Sequence, residues 1–155
     1  MRAVVQRVAW ARVTADGDTT GEMEHGLCVL LSVAPGDDEA VADHLAQRVS
    51  TLRIFADTEG RMNLDVRAAA GAVLVVSQFT LHADTSRGHR PSFIHAAPPA
   101  LAERLYERFV AALRTQALRV STGRFGAHMQ VELANDGPVT LVLSSGEAPW
   151  EADTG

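Results

Sequence analysis

The sequence contains no lysine: all 14 of its basic residues are arginine, and against 19 acidic residues they give a formal net charge of −5. The arginines form no consecutive basic block. Neutralisation of phosphates by basic side chains drives the binding of long duplex nucleic acid. We therefore expect no DNA partner, whereas a few local contacts to the end of an RNA are compatible with this charge.

Long apolar runs are also missing, since runs such as Leu27–Leu31 and Ala72–Val76 are short. A membrane-spanning helix needs about 20 apolar residues, so we expect no membrane segment, and the first residues do not read as a secretory signal. The one cysteine, Cys28, cannot form an internal disulfide, and its apolar neighbours favour a core residue over a nucleophile. A reducing, cytoplasmic location fits best.

Metal and cofactor signatures are absent from the sequence. The six histidines show neither H-x-x-x-H spacing nor a C-x-x-C partner. The segment Gly123–Gly126 lacks the G-x-G-x-x-G arrangement of a dinucleotide site. We therefore expect an enzyme or binding protein that uses no metal and no cofactor.

The periodicity of the apolar residues predicts an α/β protein of the α+β type. Alternation over 2–14 indicates a long strand, and helical spacing over 38–51 indicates an amphipathic helix. A second helix is expected to begin at Pro98–Pro99. Short connections favour mixed and antiparallel β-sheets that form a barrel-like core, with the two main helices packed outside.

The length of 155 residues predicts one domain over 1–145, followed by an acidic tail over 146–155 that we expect to be frayed. Near its end, the domain is expected to carry a β-hairpin, with a tight turn at Asn135–Pro138 between two strands. Glycine permits unusual backbone dihedrals and proline fixes its own φ. From the residues alone, this turn is either a plain hairpin connection or a functional feature.

A polar segment follows the buried strand that begins at Ala72. It either binds the polar edge of a ligand or is an ordinary strand end that meets water, and it comprises Ser77, Gln78, Phe79 and Thr80. A nucleophilic Thr80 requires a base within hydrogen-bond reach. The spacing to His82 and His89 does not by itself supply one.

The loop Arg87–Arg90 carries two arginines around Gly88 and His89. Two guanidinium groups at this spacing suit a ribose-phosphate end. A solvated loop with no ligand accounts for the same residues equally well.

Taken together, these segments resemble the D-aminoacyl-tRNA deacylases. The resemblance extends from Met1 to about Ser145 and rests on blocks that follow one another in the family order: Met1–Val8, Leu52–Phe55, Met62–Leu64, Ser77–Leu81, Arg90–Phe93, Thr122–Ala127 and Asn135–Thr140. It implies a cytoplasmic homodimer that hydrolyses the ester between a D-amino acid and the 3′-terminal adenosine of tRNA. Glycine mischarged on tRNA-Ala would be a further substrate.

The resemblance also implies roles for individual residues. A catalytic pocket would be formed by Ser77, Gln78, Phe79 and Thr80, with the 2′-hydroxyl of the RNA assisting the chemistry. Substrate binding and rejection of L-amino acids would fall to Gly137, Pro138, Arg7 and Met129. In that arrangement a cis Gly–Pro motif enters the pocket of the partner subunit and Arg7 holds the motif in place.

Two features depart from the family pattern. His128 replaces a common aspartate, and the loop Arg87–Arg90 is less basic than usual. Two other functions stay open beside the deacylase: a generic aminoacyl-ester hydrolase with Thr80 as nucleophile, and a non-catalytic module that binds an RNA end.

Overall fold

The structure, a computed structural model, describes residues 1–146. Its strands are rich in valine and leucine, and its helices carry apolar residues three or four positions apart. In chain order the elements are β1 Arg2–Ala15, β2 Asp18–Met23, β3 Gly26–Ser32, α1 Glu39–Ser50, β4 Phe55–Ala56, β5 Met62–Leu64, β6 Ala72–Ser77, a 3₁₀ turn Phe79–His82, α2 Pro99–Arg114, β7 Val120–Thr122 and β8 Met129–Ser144.

The main sheet has the strand order β2-β1-β3-β6-β7, and β8 pairs with β1 as well. The pairs β3–β6 and β6–β7 are parallel, and the pairs made by β1 are antiparallel. The sheet curls until β7 approaches β2, where the Ser121 hydroxyl donates to the Glu22 carbonyl at 2.9 Å. This curled mixed sheet with two helices confirms the predicted fold class.

The central strands are buried on both faces. On β3, Leu27 and Val29 face the layer that contains the helices, whereas Cys28 packs with Leu74 of β6 in a second cluster inside the curl of the sheet. Burial raises the pKa of the Cys28 thiol to about 11. The prediction of a core cysteine is confirmed.

The helices begin where the sequence predicts. The carboxylate of Asp38 caps α1 by accepting a hydrogen bond from the Val41 amide at 2.9 Å. Helix α2 starts at Pro99, where the missing amide proton costs nothing. The two helices are joined by the guanidinium of Arg108, which donates to both Asp43 oxygens at 2.7 and 2.6 Å.

The predicted hairpin at Asn135–Pro138 is wrong. Strand β8 runs without interruption from Met129 to Ser144 and pairs with β1 along almost its whole length. Val8 stands opposite Asn135 and Gln6 stands opposite Thr140, so the four residues 136–139 bulge out opposite a single β1 residue. Gly-Pro chemistry suits a bulge as well as a turn, and a turn signal alone does not distinguish the two.

Other boundaries differ less from the prediction. Strand β4 is only two residues long, Phe55–Ala56, because the carbonyl of the preceding Ile54 accepts a hydrogen bond from an arginine side chain of β1 instead of a strand partner. The single domain over 1–145 stays a prediction. Beyond Gly146, the expected tail lies outside the described residues.

Along one edge, the two halves of β1 pair with different strands: residues 2–8 pair with β3, and residues 11–15 pair with β2. Its register shifts over 6–10, where it passes from one neighbour to the other. Val8 at this bend also pairs with Gly26, the first residue of β3. The bulge of β8 therefore lies beside the start of β3, about 20 Å of strand away from Ser32 at its end.

Closure of the curled sheet depends on a small residue in β2. A Cβ atom at Gly21 would lie 2.5 Å from the carbonyl oxygen of Thr122 in β7. We expect Gly21→Ala to push the two strands apart and to lower the free energy of unfolding by about 1–3 kcal/mol, measured by urea denaturation. The matched control is Gly36→Ala, where a Cβ meets nothing within 4 Å. Equal free energies of unfolding for the two variants would contradict the close approach of β2 to β7.

Candidate functional site

A pocket of about 700 Å³ opens where β3 and β6 end. Parallel pairing aligns Leu31 with Ser77, so the segments that follow both strands meet at one edge of the sheet. The start of α2 and the segment that leads into β8 complete the walls. The lining includes Ser32, Ser77, Gln78, Phe79, Tyr106 and Met129.

Four of the predicted site residues therefore line one cavity: Ser77, Gln78, Phe79 and Met129. Thr80 is the next residue along the chain and is exposed at the rim. The others lie at the bulge of β8, at the opposite end of β3: Arg7, Gly137 and Pro138. One protomer thus presents two separate groups of predicted residues rather than one.

The polar rim of the pocket is carried by the 3₁₀ turn. The Gln78 amide donates to the Leu31 carbonyl at 2.7 Å, which ties the start of the turn to β3. The Gln78 side-chain amide donates to the Thr80 hydroxyl. Within residues 1–146, the backbone amides of Phe79 and Thr80 donate to no protein acceptor, so both stay available to a ligand.

Thr80 has no general base beside it. Its hydroxyl receives the bond from Gln78, and none of the described histidines or carboxylates is hydrogen-bonded to it. The imidazole of His82 points into the protein and contacts Ser32 instead. The geometry therefore gives no support to a threonine nucleophile.

His82 is buried at the end of the turn and is kept neutral by its surroundings. Burial is the main cause that lowers its pKa to about 4, and the charges of Arg2, the Met1 amino group and His95 act in the same direction. Asp37 opposes the shift. The Nδ1 atom lies 2.5 Å from the Ser32 hydroxyl oxygen, so this polar ring is paired despite its burial.

Aromatic side chains complete the pocket. Phe79 is 56% exposed and meets Phe93 edge to face with ring centroids 5.1 Å apart. The Tyr106 hydroxyl donates to the Val75 carbonyl at 2.8 Å, and burial raises its pKa to about 12. Sequence reasoning missed Tyr106, although a polar-tipped residue on the apolar face of α2 was a usable signal.

The bulge of β8 is held by Arg7. Its Nε donates to the Asp136 carbonyl at 2.9 Å and lies 3.2 Å from the Asp136 carboxylate, and its Nη1 donates to the Ile54 carbonyl at 2.5 Å. Only 14% of the Arg7 side chain is exposed. Such multiple charged hydrogen bonds fix both the guanidinium and the backbone it contacts.

The tip of the bulge is compact and faces outward. The Gly137–Pro138 peptide bond is cis, and both residues are exposed. A Cβ atom at Gly137 would lie 2.3 Å from the side-chain nitrogen of Asn135. Only glycine therefore fits this position without a shift of its neighbour.

Of the remaining predicted features, His128 is part of the cavity lining, whereas the arginine loop lies apart from it. The loop that contains Arg87 and Arg90 is exposed and is closed at its base by a bridge between Asp84 and Ser92. Its role in phosphate binding stays a prediction. Among residues 1–146 no three His, Cys, Asp or Glu side chains cluster as a metal site would require, and no helix of that part is long and apolar enough to cross a membrane.

Comparison with known proteins identifies the family. The family model described as D-Tyr-tRNA(Tyr) deacylase matches residues 4–144. The chain belongs to the D-Tyr-tRNA(Tyr) deacylase family. A D-aminoacyl-tRNA deacylase of Symbiobacterium thermophilum is 57% identical over 145 residues, which cover 94% of this chain and 96% of the relative. Membership confirms the predicted family and the enzyme class, an aminoacyl-ester hydrolase.

Solved structures give the same fold. A structure described as c-Myc DNA Unwinding Element Binding Protein has a TM-score of 0.88 at 39% identity, over 94% of this chain and 99% of that one. A structure described as a probable eukaryotic D-amino acid tRNA deacylase has a TM-score of 0.79 at 15% identity, over 92% and 97%. The second likeness shows the fold alone. Within this fold, the pocket of the chain lies at the carboxyl ends of β3 and β6.

The neutral state of His82 links stability to pH. Its pKa is lower in the folded chain than in the unfolded chain, so the unfolded chain binds more protons between about pH 6.5 and pH 4. Stability is therefore lost as the pH falls through this window, by up to about 3 kcal/mol. We expect His82→Asn to remove most of this slope in urea unfolding at pH 7 and pH 4. The exposed-histidine variant His89→Asn should keep it, and an unchanged slope in His82→Asn would contradict the assignment.

Proposed function

We propose that the protein is a D-aminoacyl-tRNA deacylase that hydrolyses the ester between a D-amino acid and the 3′-terminal adenosine of tRNA. The observation that carries the proposal is the convergence of Ser77, Gln78, Phe79 and Met129 on one pocket in a chain of this family. The volume of about 700 Å³ lies in the range that holds small organic ligands. An aminoacylated adenosine is a ligand of this kind.

The chemistry requires a water molecule to attack the ester carbonyl while negative charge develops on the carbonyl oxygen. The free backbone amides of Phe79 and Thr80 are donors of the type that stabilises such an oxyanion. One donor of this type is worth about 10²–10³ in kcat. Since no protein base stands beside Thr80, the 2′-hydroxyl of the terminal ribose is proposed to assist the reaction, and the protein to orient the ester.

Rejection of L-amino acids is proposed to be steric. L and D isomers carry the same groups, so attractive contacts discriminate between them weakly, whereas a fixed obstacle excludes one of them. The compact, exposed Gly137–Pro138 segment, held by Arg7, suits such an obstacle. Glycine has no side chain to clash, so glycyl-tRNA, including glycine mischarged on tRNA-Ala, is expected to pass.

The obstacle is proposed to come from a second copy of the chain. The bulge lies beside Gly26 at one end of β3, and the pocket lies beyond Ser32 at the other end. Within residues 1–146, the outer edge of β8 pairs with no strand, and Val131 and Val142 on β8 are 37% and 49% exposed. An open edge with apolar side chains is suited to association. These features support a homodimer in which each bulge reaches the partner's pocket.

The partner is proposed to be the end of an RNA and not DNA. A net charge of −5 without a basic block is unfavourable for duplex binding. The exposed arginines Arg87 and Arg90 follow the turn at the pocket rim and supply local charge for terminal phosphates. The cytoplasmic location expected from the sequence belongs to this proposal, since charged tRNA is used there.

The purified wild-type protein is expected to hydrolyse D-tyrosyl-tRNA at least about 100-fold faster than L-tyrosyl-tRNA without added metal, because a steric obstacle worth about 3 kcal/mol gives that ratio. The measurement follows release of labelled tyrosine from matched substrates, with glycyl-tRNA as a third substrate. Hydrolysis of D-tyrosyl-tRNA and L-tyrosyl-tRNA at the same rate would contradict the role of the bulge in chiral selection. Binding of both without turnover would favour a module that binds RNA ends.

Removal of the arginine that holds the bulge should weaken the selectivity. We expect Arg7→Ala to raise hydrolysis of L-tyrosyl-tRNA by about tenfold or more, while hydrolysis of the D ester stays within about threefold, since a looser obstacle admits the wrong isomer. The matched control is Arg12→Ala, which removes an exposed pair between Arg12 and Glu132 on the same two strands. Sedimentation tests whether both variants remain dimers. An active wild-type monomer, or full rejection of the L ester by Arg7→Ala, would refute the gate in trans.

A further inference from the structure

Two buried polar side chains meet at the wall of the pocket: Ser32 belongs to its lining, and His82 lies behind Ser32. Ser32 ends β3 and is 2% exposed, and His82 ends the 3₁₀ turn and is 6% exposed. Burial of a polar group costs free energy unless the group is hydrogen-bonded. Their contact of 2.5 Å between Oγ and Nδ1 supplies that bond across 50 residues of sequence.

Ser32 makes a second, longer contact on the same side. Its hydroxyl lies within donating distance of the Phe79 carbonyl, at 3.4 Å. A serine hydroxyl has one proton to donate. Both contacts are satisfied together when His82 carries its proton on Nδ1 and donates to Ser32, which then donates to Phe79. The three groups thus form a directed chain that ends on a backbone carbonyl of the turn.

That carbonyl belongs to the peptide between Phe79 and Thr80. Because a trans peptide is planar, its carbonyl and its amide point in opposite directions and turn together. A hydrogen bond that holds the Phe79 carbonyl toward Ser32 therefore also directs the Thr80 amide. This amide is one of the two free donors at the rim of the pocket.

The other long-range ties of the turn act on neighbouring peptides, while the backbone bonds of the 3₁₀ helix act within the turn itself. The Gln78 amide bonds to the Leu31 carbonyl at 2.7 Å, before the turn begins. The Arg2 side chain donates to the Leu81 carbonyl at 2.9 Å, after the peptide in question. Among the described contacts, the chain from His82 through Ser32 is the side-chain tie to the Phe79–Thr80 peptide itself.

We propose that Ser32 and His82 are a positioning pair that orients the Phe79–Thr80 peptide toward the ester, an inference that rests on the proposed function. A serine beside a histidine also has the composition of a nucleophile and its base. In the chain described above, however, the imidazole donates to Ser32 and is not available to remove its proton. Although Ser32 belongs to the pocket lining, it is only 2% exposed, so an attack on the substrate would require its neighbours to move.

The central variant is Ser32→Ala, which deletes the link and leaves the pocket surface almost intact. We expect kcat for D-tyrosyl-tRNA to fall about 10- to 100-fold, as for a misplaced catalytic group, while KM stays within about threefold. The matched control is Ser50→Ala, which removes another buried serine bonded to Gln47 and Gln116 at the end of α1. That variant should lose stability without loss of kcat.

Substitution of the histidine separates orientation from packing. His82→Asn retains an amide donor near the position of Nδ1 and should keep kcat within about fivefold of the wild type, whereas His82→Leu should lose as much as Ser32→Ala. Because the two residues act in one chain, the double variant Ser32→Ala with His82→Leu should be no slower than either single variant. Losses that multiply in the double variant would overturn the shared role.

One readout does not depend on turnover. In ¹H–¹⁵N spectra of the substrate-free protein, the Thr80 amide should shift in Ser32→Ala and in His82→Leu, and should stay near its wild-type position in His82→Asn. An unmoved amide together with an unchanged kcat would overturn the proposal and leave a purely structural pair. Covalent labelling of wild-type Ser32 by a fluorophosphonate would overturn it in favour of a nucleophile. If the wild type hydrolyses no D ester, the proposed function fails, and the amide shift still decides whether the pair orients the peptide.

Discussion

Parallel pairing of β3 with β6 is the constraint on which the site depends. It buries both strands on two faces, so their residues Leu27 to Ser32 and Ala72 to Ser77 are almost entirely apolar. Parallel neighbours require crossover connections, and these supply the helical layer over one face. The same pairing brings the ends of both strands to one edge, where backbone groups leave the ladder and become available to a ligand. The pocket follows from the sheet, and not from a separate binding domain.

The second constraint is the long ladder between β1 and β8. It joins β8 to the sheet along almost the whole of β1. At the bend of β1, four β8 residues stand opposite the single residue Arg7 and have no pairing partner of their own. This bulge is flanked by paired residues on both sides, and the bonds of Arg7 hold it. The proposed obstacle to L-amino acids thus stands on rigid strands. Its distance from the pocket of its own chain makes the second copy part of the proposed site rather than an accessory.

Sequence patterns could predict the elements but not all of their partners. The start of α1 at Asp38, the start of α2 at Pro99 and the buried strands were readable because capping and periodicity are local. The bulge was misread as a hairpin because the choice depends on whether β1 is long enough to pair with both halves of β8. Ser77, Gln78 and Phe79 could be singled out as the polar end of a buried strand. Ser32 and His82 could not be joined, since 50 residues separate them.

Because the proposed site uses backbone amides, it depends on the groups that hold these amides in position. An amide cannot be tuned by its own pKa, so its contribution depends on direction, and direction depends on what holds the carbonyl of the same peptide. Charged partners would serve this purpose poorly behind an apolar wall, where an unpaired charge is costly. A serine and a neutral imidazole fulfil it with uncharged groups, and burial together with Arg2 keeps the pKa of that imidazole at about 4. The low pKa of His82 keeps the ring uncharged in its buried position, and it argues against a role as general base near neutral pH.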